Sequence, residues 1–147
     1  MQAQRIVVVG GVAGGATAAA KARRTSESAE ITLFERGAHI SFANCGLPYF
    51  IAGEISDRDK LLLSTPEAFA ARYRIQVNTG HEVVTLLRRE QRVRVRNTQG
   101  QLMEVPYDRL ILAQGAEPIV PELPGVDLPH VFTLRNLSDM DQIMDFL

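Results

Sequence analysis

The segment RIVVVGGVAGGATAAAKARR, residues 5–24, decides the fold. Its first part, residues 5–10, is β-branched and apolar on both faces and ends in glycine, as in a fully buried strand of a parallel sheet. Residues 14–24 are rich in alanine, which predicts a helix. A second apolar strand is predicted at residues 31–35. Strand, glycine turn, helix and strand within about 30 residues indicate a βαβ unit with a right-handed crossover.

The next part of the chain continues this alternation of helices and strands. A short helix is expected over residues 46–53, and another over residues 65–73. Thr65 suits the N-cap of the second helix, and Pro66 suits its first helical position. A third parallel strand is predicted at residues 75–77.

Three short strands joined by polar turns follow at residues 82–87, 92–97 and 102–106, which predicts an antiparallel meander. A strand at residues 110–112 then returns to the parallel sheet. The expected fold class is α/β: a Rossmann-like βαβ dinucleotide-binding domain with a parallel sheet and an inserted three-stranded antiparallel β-meander.

This pattern suggests a division of the chain at residue 115. Residues 1–115 are assigned to the nucleotide-binding domain, with the meander insertion at residues 82–106. Residues 116–147 are rich in proline and glycine and are interpreted as a connector, in which residues 138–147 begin a further helix.

Composition excludes several classes of protein. The 147 residues carry a formal net charge of −1, so a nucleic-acid-binding surface is not expected. The single cysteine excludes an internal disulfide and is typical of a reducing compartment, so a cytoplasmic location is expected. The longest uncharged stretch, residues 6–20, is shorter than the roughly 20 apolar residues that span a bilayer. It resembles a secretion signal, but its glycine spacing fits a phosphate-binding turn better. The three histidines are scattered without metal-ligand spacing, so no metal is assigned.

The glycine turn predicts dinucleotide binding. Gly10 and Gly15 match the outer positions of G-x-G-x-x-G, and Val12 occupies the middle one. Glu35 ends the second predicted strand, where a carboxylate can accept hydrogen bonds from an adenosine ribose. The alternative is a βαβ unit whose tight turns bind nothing.

The only cysteine, Cys45, lies in the stretch SFANCGLPYF, residues 41–50. A position before a helix lowers the pKa of a thiol, and Gly46 allows a partner to approach closely. Without a C-x-x-C partner, the oxidised thiol would be a mixed disulfide, a sulfenic acid or a persulfide. The alternative is a buried, unreactive thiol.

Two groups of basic residues remain. Thr17, Lys21 and Arg24 share one helix face, which suits a phosphorylated ligand or is an ordinary solvated face. The arginines of the meander are interpreted as a solvated strand face: Arg88, Arg89, Arg92, Arg94 and Arg96.

Four segments give the sequence a family resemblance: GGVAGGATAAAKARR, LFERGAHISFANCGLPYFIAGEI, TPEAFAARYRIQV and LILAQGAEPIVPELPG. The chain resembles the start of the flavin-dependent pyridine nucleotide-disulfide oxidoreductases. Within them it is most similar to coenzyme A disulfide reductases, including rhodanese-fused forms described as persulfide reductases. NADH oxidases and peroxidases are the next most similar branch.

The resemblance implies FAD as cofactor, with electrons passing from NAD(P)H through the flavin to Cys45. The residues that it assigns to FAD are Gly10, Gly11, Val12, Ala13, Gly14, Glu35, Arg36, Ser41, Asn44, His81, Val83, Ala113 and Gly115. The residues that it assigns to coenzyme A disulfide or persulfide are Thr17, Lys21, Arg24, Ser41 and Asn44. Gln114 departs from the family pattern, in which Thr or Pro is more usual.

The resemblance also implies that the parent protein is a homodimer with a separate NAD(P)H-binding domain. We therefore expect this chain alone to be inactive with NADH and to hold FAD weakly or not at all. Three functions are compatible with the sequence: part of a disulfide or persulfide reductase, part of an oxidase or peroxidase whose cysteine cycles through sulfenic acid, or a non-catalytic nucleotide-binding module.

Overall fold

A computed structural model describes residues 3–147 of the chain. The strands are β1 (Arg5–Val9), β2 (Glu30–Glu35), β3 (Gln76–Thr79), β4 (Glu82–Leu87), β5 (Arg92–Arg96), β6 (Leu102–Pro106) and β7 (Arg109–Leu112). The helices are α1 (Ala13–Thr25), α2 (Leu47–Ile51), α3 (Pro66–Tyr73) and α4 (Leu137–Phe146). No helix in this part of the chain is long and apolar enough to cross a membrane.

The chain divides into two compact units. The first contains the residues up to Phe42 together with Ser64–Gln114, and the second contains Ala43–Leu63 and Gly115–Leu147. The sequence assigned residues 43–63 to the first domain and residues 116–147 to a connector, whereas the structure groups these two segments in one unit.

A four-stranded parallel sheet in the order β3-β2-β1-β7 forms the centre of the first unit. β1 pairs with β2 on one side and with β7 on the other, so Val7 and Val8 are buried. α1 packs its alanines, among them Ala16 and Ala19, against this sheet. The predicted Rossmann-like α/β fold is confirmed.

A close contact between two glycines sets the position of α1. Gly10 has φ +93°, a backbone conformation that only glycine adopts without strain. A Cβ atom on Gly15 would overlap the main-chain carbonyl of Gly10. The first turn of α1 therefore packs directly on the end of β1, which any larger residue at position 15 would prevent.

The meander β4-β5-β6 is antiparallel, as predicted. Val93 and Val95 of β5 are fully buried in a cluster with Phe34 of the parallel sheet. The arginines that alternate with them pair across the strands, Arg94 with Glu104 at 2.9 Å and Arg96 with Glu82 at 2.9 Å. These ion pairs support the interpretation of the basic stretch as a solvated strand face.

One guanidinium joins the C-terminal ends of two helices. Arg23 of α1 donates to the carbonyl oxygens of Tyr73 at 2.9 Å and Arg74 at 2.7 Å, just where α3 ends. It also donates to the carbonyls of Ser26 and Glu27, which follow α1. Because helix C-termini carry unpaired carbonyls and partial negative charge, this cation stabilises both ends at once.

Element boundaries differ from the prediction by one or two residues. Thr65 caps α3 as expected and accepts from the Ala68 amide at 3.1 Å. Ile75 is predicted to begin β3, but its amide donates to the carbonyl oxygen of Ala70 in α3. The strand therefore starts one residue later, at Gln76.

The second unit is built on contacts between α2 and α4. Leu47 of α2 and Met140 of α4 are buried, at 2% and 0% exposure. Arg58 and Asp141 form a two-pronged ion pair, with N–O distances of 2.8 Å and 2.7 Å. The end of the predicted connector is thus a packed helix, because its apolar residues are spaced to share one face.

The start of β1 is tied to the start of β7 by an ion pair. Arg5 donates to the Asp108 carboxylate from its main-chain amide at 2.7 Å and from Nη2 at 2.7 Å. The Asp108 amide in turn donates to the Arg5 carbonyl at 2.9 Å. The hydrogen bonds from the Arg5 side chain and then from its amide lower the pKa of Asp108 from 3.8 to about 2.

We predict that this pair makes stability depend on pH in acid. A carboxyl whose pKa is lowered on folding stabilises the protein above its unfolded pKa, and that contribution disappears as pH falls through the folded value. The difference in free energy of unfolding between wild type and Asp108→Asn should be constant above pH 5 and should vanish as pH falls from about 4 to about 2. Urea denaturation across this range measures it.

The control for this experiment is Asp127→Asn, which removes an exposed carboxyl that makes no ion pair among residues 3–147. Its difference from wild type should not show the same decrease. A difference for Asp108→Asn that is independent of pH would contradict the role of the ion pair.

We also predict that Gly15→Ala destabilises the protein by roughly 1–3 kcal/mol, because the added methyl group must displace the Gly10 carbonyl. Gly14→Ala is the matched control. A Cβ there would lie 3.7 Å from Ala113 Cβ, an ordinary contact, so stability should fall little or rise by up to about 1 kcal/mol. Denaturant unfolding of both variants measures the contrast, and equal losses would contradict the packing argument.

Candidate functional site

The carboxyl ends of β1, β2 and β7 meet at one edge of the parallel sheet. The Gly10 amide donates to Phe34 at the end of β2, at 2.8 Å, and Ala113 donates to Val9 at 2.8 Å. A Cβ on Gly10 would overlap the Ala113 carbonyl. Gly10 and Ala113, which the sequence placed at one cofactor, are therefore packed against each other. In open α/β sheets, ligands bind outside this edge.

The N-terminus of α1 opens at this edge and has the features of a phosphate-binding turn. Its N-cap, Val12, makes no side-chain hydrogen bond, and the first turn contains no acidic residue. Ala13 and Gly14 are exposed. Amides at a helix N-terminus favour anions, so this turn fits the pyrophosphate of a dinucleotide.

Glu35 holds two turns at this edge in place. Its Oε2 accepts from the Gly11 amide at 2.7 Å, and its Oε1 accepts from the Gly37 amide at 2.7 Å. Each carboxylate oxygen retains a second lone pair for a ligand hydroxyl. Ser41 joins the same group, since its amide donates to the Gly11 carbonyl at 3.0 Å.

His81 lies beside Glu35. Its main-chain amide donates to the Glu35 carbonyl at 3.0 Å. Its Nδ1 is 2.7 Å from the Thr79 carbonyl, which assigns the proton to Nδ1 and leaves Nε2 as an acceptor in the neutral ring. Val83 packs against the cluster of buried side chains between the two sheets, while Arg36 is exposed.

The structure confirms that Thr17, Lys21 and Arg24 are exposed together on α1. The buried face of this helix is made by residues such as Ala16 and Ala19. Lys21 and Arg24 form no ion pair within residues 3–147. They differ in this from Arg23, whose donors are occupied by carbonyls, and they are available to an anionic ligand.

Cys45 belongs to the second unit and is exposed, so it is not a buried filler residue. It lies in a short 3-10 turn, Asn44–Gly46, that leads into α2. Gly46 is buried, and a Cβ on it would come within 2.5 Å of Leu61 Cδ2. Gly46 therefore allows close packing against Leu61 beneath the turn, and its role in the approach of a partner to Cys45 stays a prediction.

Asn44 and Gly115 lie in the second unit together with Arg135, a residue that the sequence analysis did not identify. Asn44 Nδ2 is 3.5 Å from the Arg135 carbonyl, and a Cβ on Gly115 would lie 3.1 Å from Arg135 Nη2. The pattern Asn136-x-x-Asp139 marks a capped helix start directly after Arg135 and could have drawn attention to it. Residues 3–147 contain no cluster of three or more His, Cys, Asp or Glu that could hold a metal.

Comparisons with known proteins show the family of this chain. A family model for pyridine nucleotide-disulphide oxidoreductases matches residues 4–145. Coenzyme A disulfide reductase from Staphylococcus haemolyticus is 44% identical over 145 residues, covering 98% of this chain and 32% of that protein.

Two solved structures extend the likeness to three dimensions. Reduced CoADR-RHD from Bacillus anthracis has a TM-score of 0.96 and 47% identity, covering 99% of this chain and 27% of that one. An NAD-dependent persulfide reductase from A. fulgidus has a TM-score of 0.91 and 31% identity, covering 97% and 26%. The chain thus spans 32% or less of the length of these relatives. It belongs to the pyridine nucleotide-disulphide oxidoreductase family.

Proposed function

We propose that this chain binds FAD and carries the redox-active cysteine of an NAD(P)H-dependent reductase that acts on coenzyme A disulfide or persulfide. The observation that carries the proposal is that the single cysteine, Cys45, is exposed to solvent. It is made in a chain that is 44% identical, over 98% of its own length, to a coenzyme A disulfide reductase. A buried Cys45 would have favoured a non-catalytic module.

For the cofactor, the proposal is supported by the edge of the parallel sheet. The glycine turn and the uncapped start of α1 suit the pyrophosphate, and the Glu35 carboxylate suits the ribose hydroxyls. His81 and Ala113 border the same edge. We propose that the other residues assigned by family resemblance, among them Arg36, Asn44 and Gly115, complete the cofactor site.

At the substrate, we propose that Cys45 acts as the nucleophile. Its thiolate attacks one sulfur of the disulfide, the S–S bond breaks, and the other sulfur leaves as a thiolate that takes a proton from water. A mixed disulfide between Cys45 and coenzyme A remains. FAD, reduced by a nicotinamide, would supply the two electrons that return Cys45 to the thiolate and release coenzyme A.

For substrate selection, we propose that the exposed face of α1 recognises the phosphates of coenzyme A. Lys21 and Arg24 provide two cations and Thr17 a hydroxyl, all exposed on this face. Positive charge attracts a phosphorylated disulfide more strongly than it attracts glutathione disulfide, and this preference should weaken with salt.

We predict that FAD binding depends on Glu35. Glu35→Gln replaces one carboxylate oxygen with an NH2 group, which would face a main-chain N–H that needs an acceptor. Because one of the two turns then loses its hydrogen bond, the affinity for FAD should fall by at least about tenfold. Quenching of flavin fluorescence on titration with the 147-residue protein measures it. Glu30→Gln, at the opposite end of β2, is the matched control and should bind like wild type. Equal affinities for Glu35→Gln and wild type would contradict the assignment.

We predict that coenzyme A disulfide modifies Cys45. Intact mass after incubation with this disulfide should show one coenzyme A adduct, formed faster than the glutathione adduct and absent from Cys45→Ser. Arg24→Ala should reduce the preference for the coenzyme A disulfide by roughly threefold to tenfold. Arg89→Ala removes an equal charge from the exposed turn after β4 and should leave the preference unchanged.

Two results would overturn this reading. Oxidation of Cys45 to a sulfenic acid by hydrogen peroxide, with no preference for coenzyme A disulfide over glutathione disulfide, would favour an oxidase or peroxidase. An inert Cys45 would remove the support for any thiol chemistry in this chain.

A further inference from the structure

The residues around the start of α4 form a network of hydrogen bonds centred on Arg135. Asp139 Oδ2 accepts from the Arg135 amide at 2.7 Å and from the Asn136 amide at 3.1 Å. The Asn136 side chain accepts from the Asp139 amide at 3.1 Å, which completes a capping box. The main chain of Arg135 is therefore fixed by the helix that follows it.

The side chain of Arg135 contacts the start of Gly115–Leu147, the second of the two segments that form this unit. Its Nε donates to the Ala116 carbonyl at 3.0 Å. Its Nη2 would be 3.1 Å from a Cβ on Gly115, whose φ is +74°. The guanidinium thus lies against the Gly115–Ala116 peptide, at a position where the positive φ favours glycine. Gly115 directly follows Gln114, the last residue of the first unit.

The main-chain carbonyl of Arg135 contacts a second segment. Asn44 Nδ2 donates to it at 3.5 Å, a long hydrogen bond. Asn44 is the residue before Cys45 and belongs to the same 3-10 turn. Arg135, two residues before α4, therefore contacts two segments that are far apart in sequence. Positions 44 and 115 are separated by 71 residues.

We propose that Arg135 is a positioning residue that holds both the turn at Gly115 and the turn at Cys45 in the geometry they need for function. This rests on the proposed function, in which Gly115 belongs to the FAD site and Cys45 is the reacting thiol. Arg135 itself contacts neither cofactor nor substrate in this role. Its side chain fixes Gly115–Ala116, and its carbonyl orients the Asn44 side chain.

The test compares three variants of the 147-residue protein. Arg135→Met keeps the length of the side chain and removes every donor, whereas Arg135→Lys keeps the charge and one donor group. Arg58→Met is the matched control, because it removes another half-buried arginine of the same unit, the one that pairs with Asp141. Amide hydrogen exchange, the rate of Cys45 alkylation by iodoacetamide, the dissociation constant for FAD and Tm are measured for each.

Arg135→Met should speed exchange at least about fivefold in peptides covering both residues 43–47 and residues 113–118. It should change the alkylation rate at least about threefold and weaken FAD binding about tenfold. Arg58→Met should lower Tm by a similar amount and leave the exchange, the alkylation rate and the dissociation constant for FAD unchanged. Arg135→Lys should recover part of the protection at residues 113–118.

The proposal is overturned if exchange rises in only one of the two peptides, or if Arg58→Met reproduces the effects. It is also overturned if Arg135→Met alkylates at the wild-type rate. Exchange and alkylation need no cofactor, so they decide the role of Arg135 even if wild type fails to bind FAD. Absence of FAD binding by this chain would concern the cofactor proposal and would leave the role of Arg135 to be decided by exchange and alkylation.

Discussion

The contact between Gly15 and the main-chain carbonyl of Gly10 is the constraint on which the first unit depends. It allows α1 to begin immediately at the end of β1, so that the alanines of the helix lie directly on the sheet. α1 therefore begins at the edge of the sheet where β2 and β7 also end. Both glycines are therefore explained by the main chain: Gly10 by its positive φ, and Gly15 by the space that a Cβ atom would take.

Much of the fold could be predicted because it is encoded over short distances in sequence. The apolar run of β1, the alanines of α1 and the alternation of Val93 and Val95 with arginine each specify an element without reference to the rest of the chain. The boundary of β3 could not be predicted in this way. Whether Ile75 belongs to the strand or to the end of α3 depends on which carbonyl accepts its amide, and that is settled by tertiary packing.

The grouping of residues 43–63 with residues 115–147 was also beyond the sequence analysis. It depends on pairs such as Arg58 and Asp141, which are 83 residues apart and have no periodic pattern to join them. Gly46 illustrates the same difficulty at a single position. A glycine next to a cysteine suggests access for a partner, and the sequence gives no sign that Leu61, 15 residues later, packs closely against the same glycine.

In the candidate site, too, some features could be predicted from the sequence and others could not. Glu35, the glycine turn and Cys45 could be named from motifs, because their chemistry is carried by residue type and spacing. That Glu35 binds the Gly11 and Gly37 amides could not be foreseen, since both are main-chain groups that leave no trace in composition. The turn is therefore already held in shape without a ligand, and binding would cost less ordering of the backbone.

The exposure of the single cysteine has a practical consequence for physical studies of this protein. A spin label or fluorophore that reacts with thiols would attach at one defined position, in the 3-10 turn beside the buried Gly46. Its signal would report the motion of that turn alone. Spectroscopy of the native sequence is therefore open without prior removal of competing thiols.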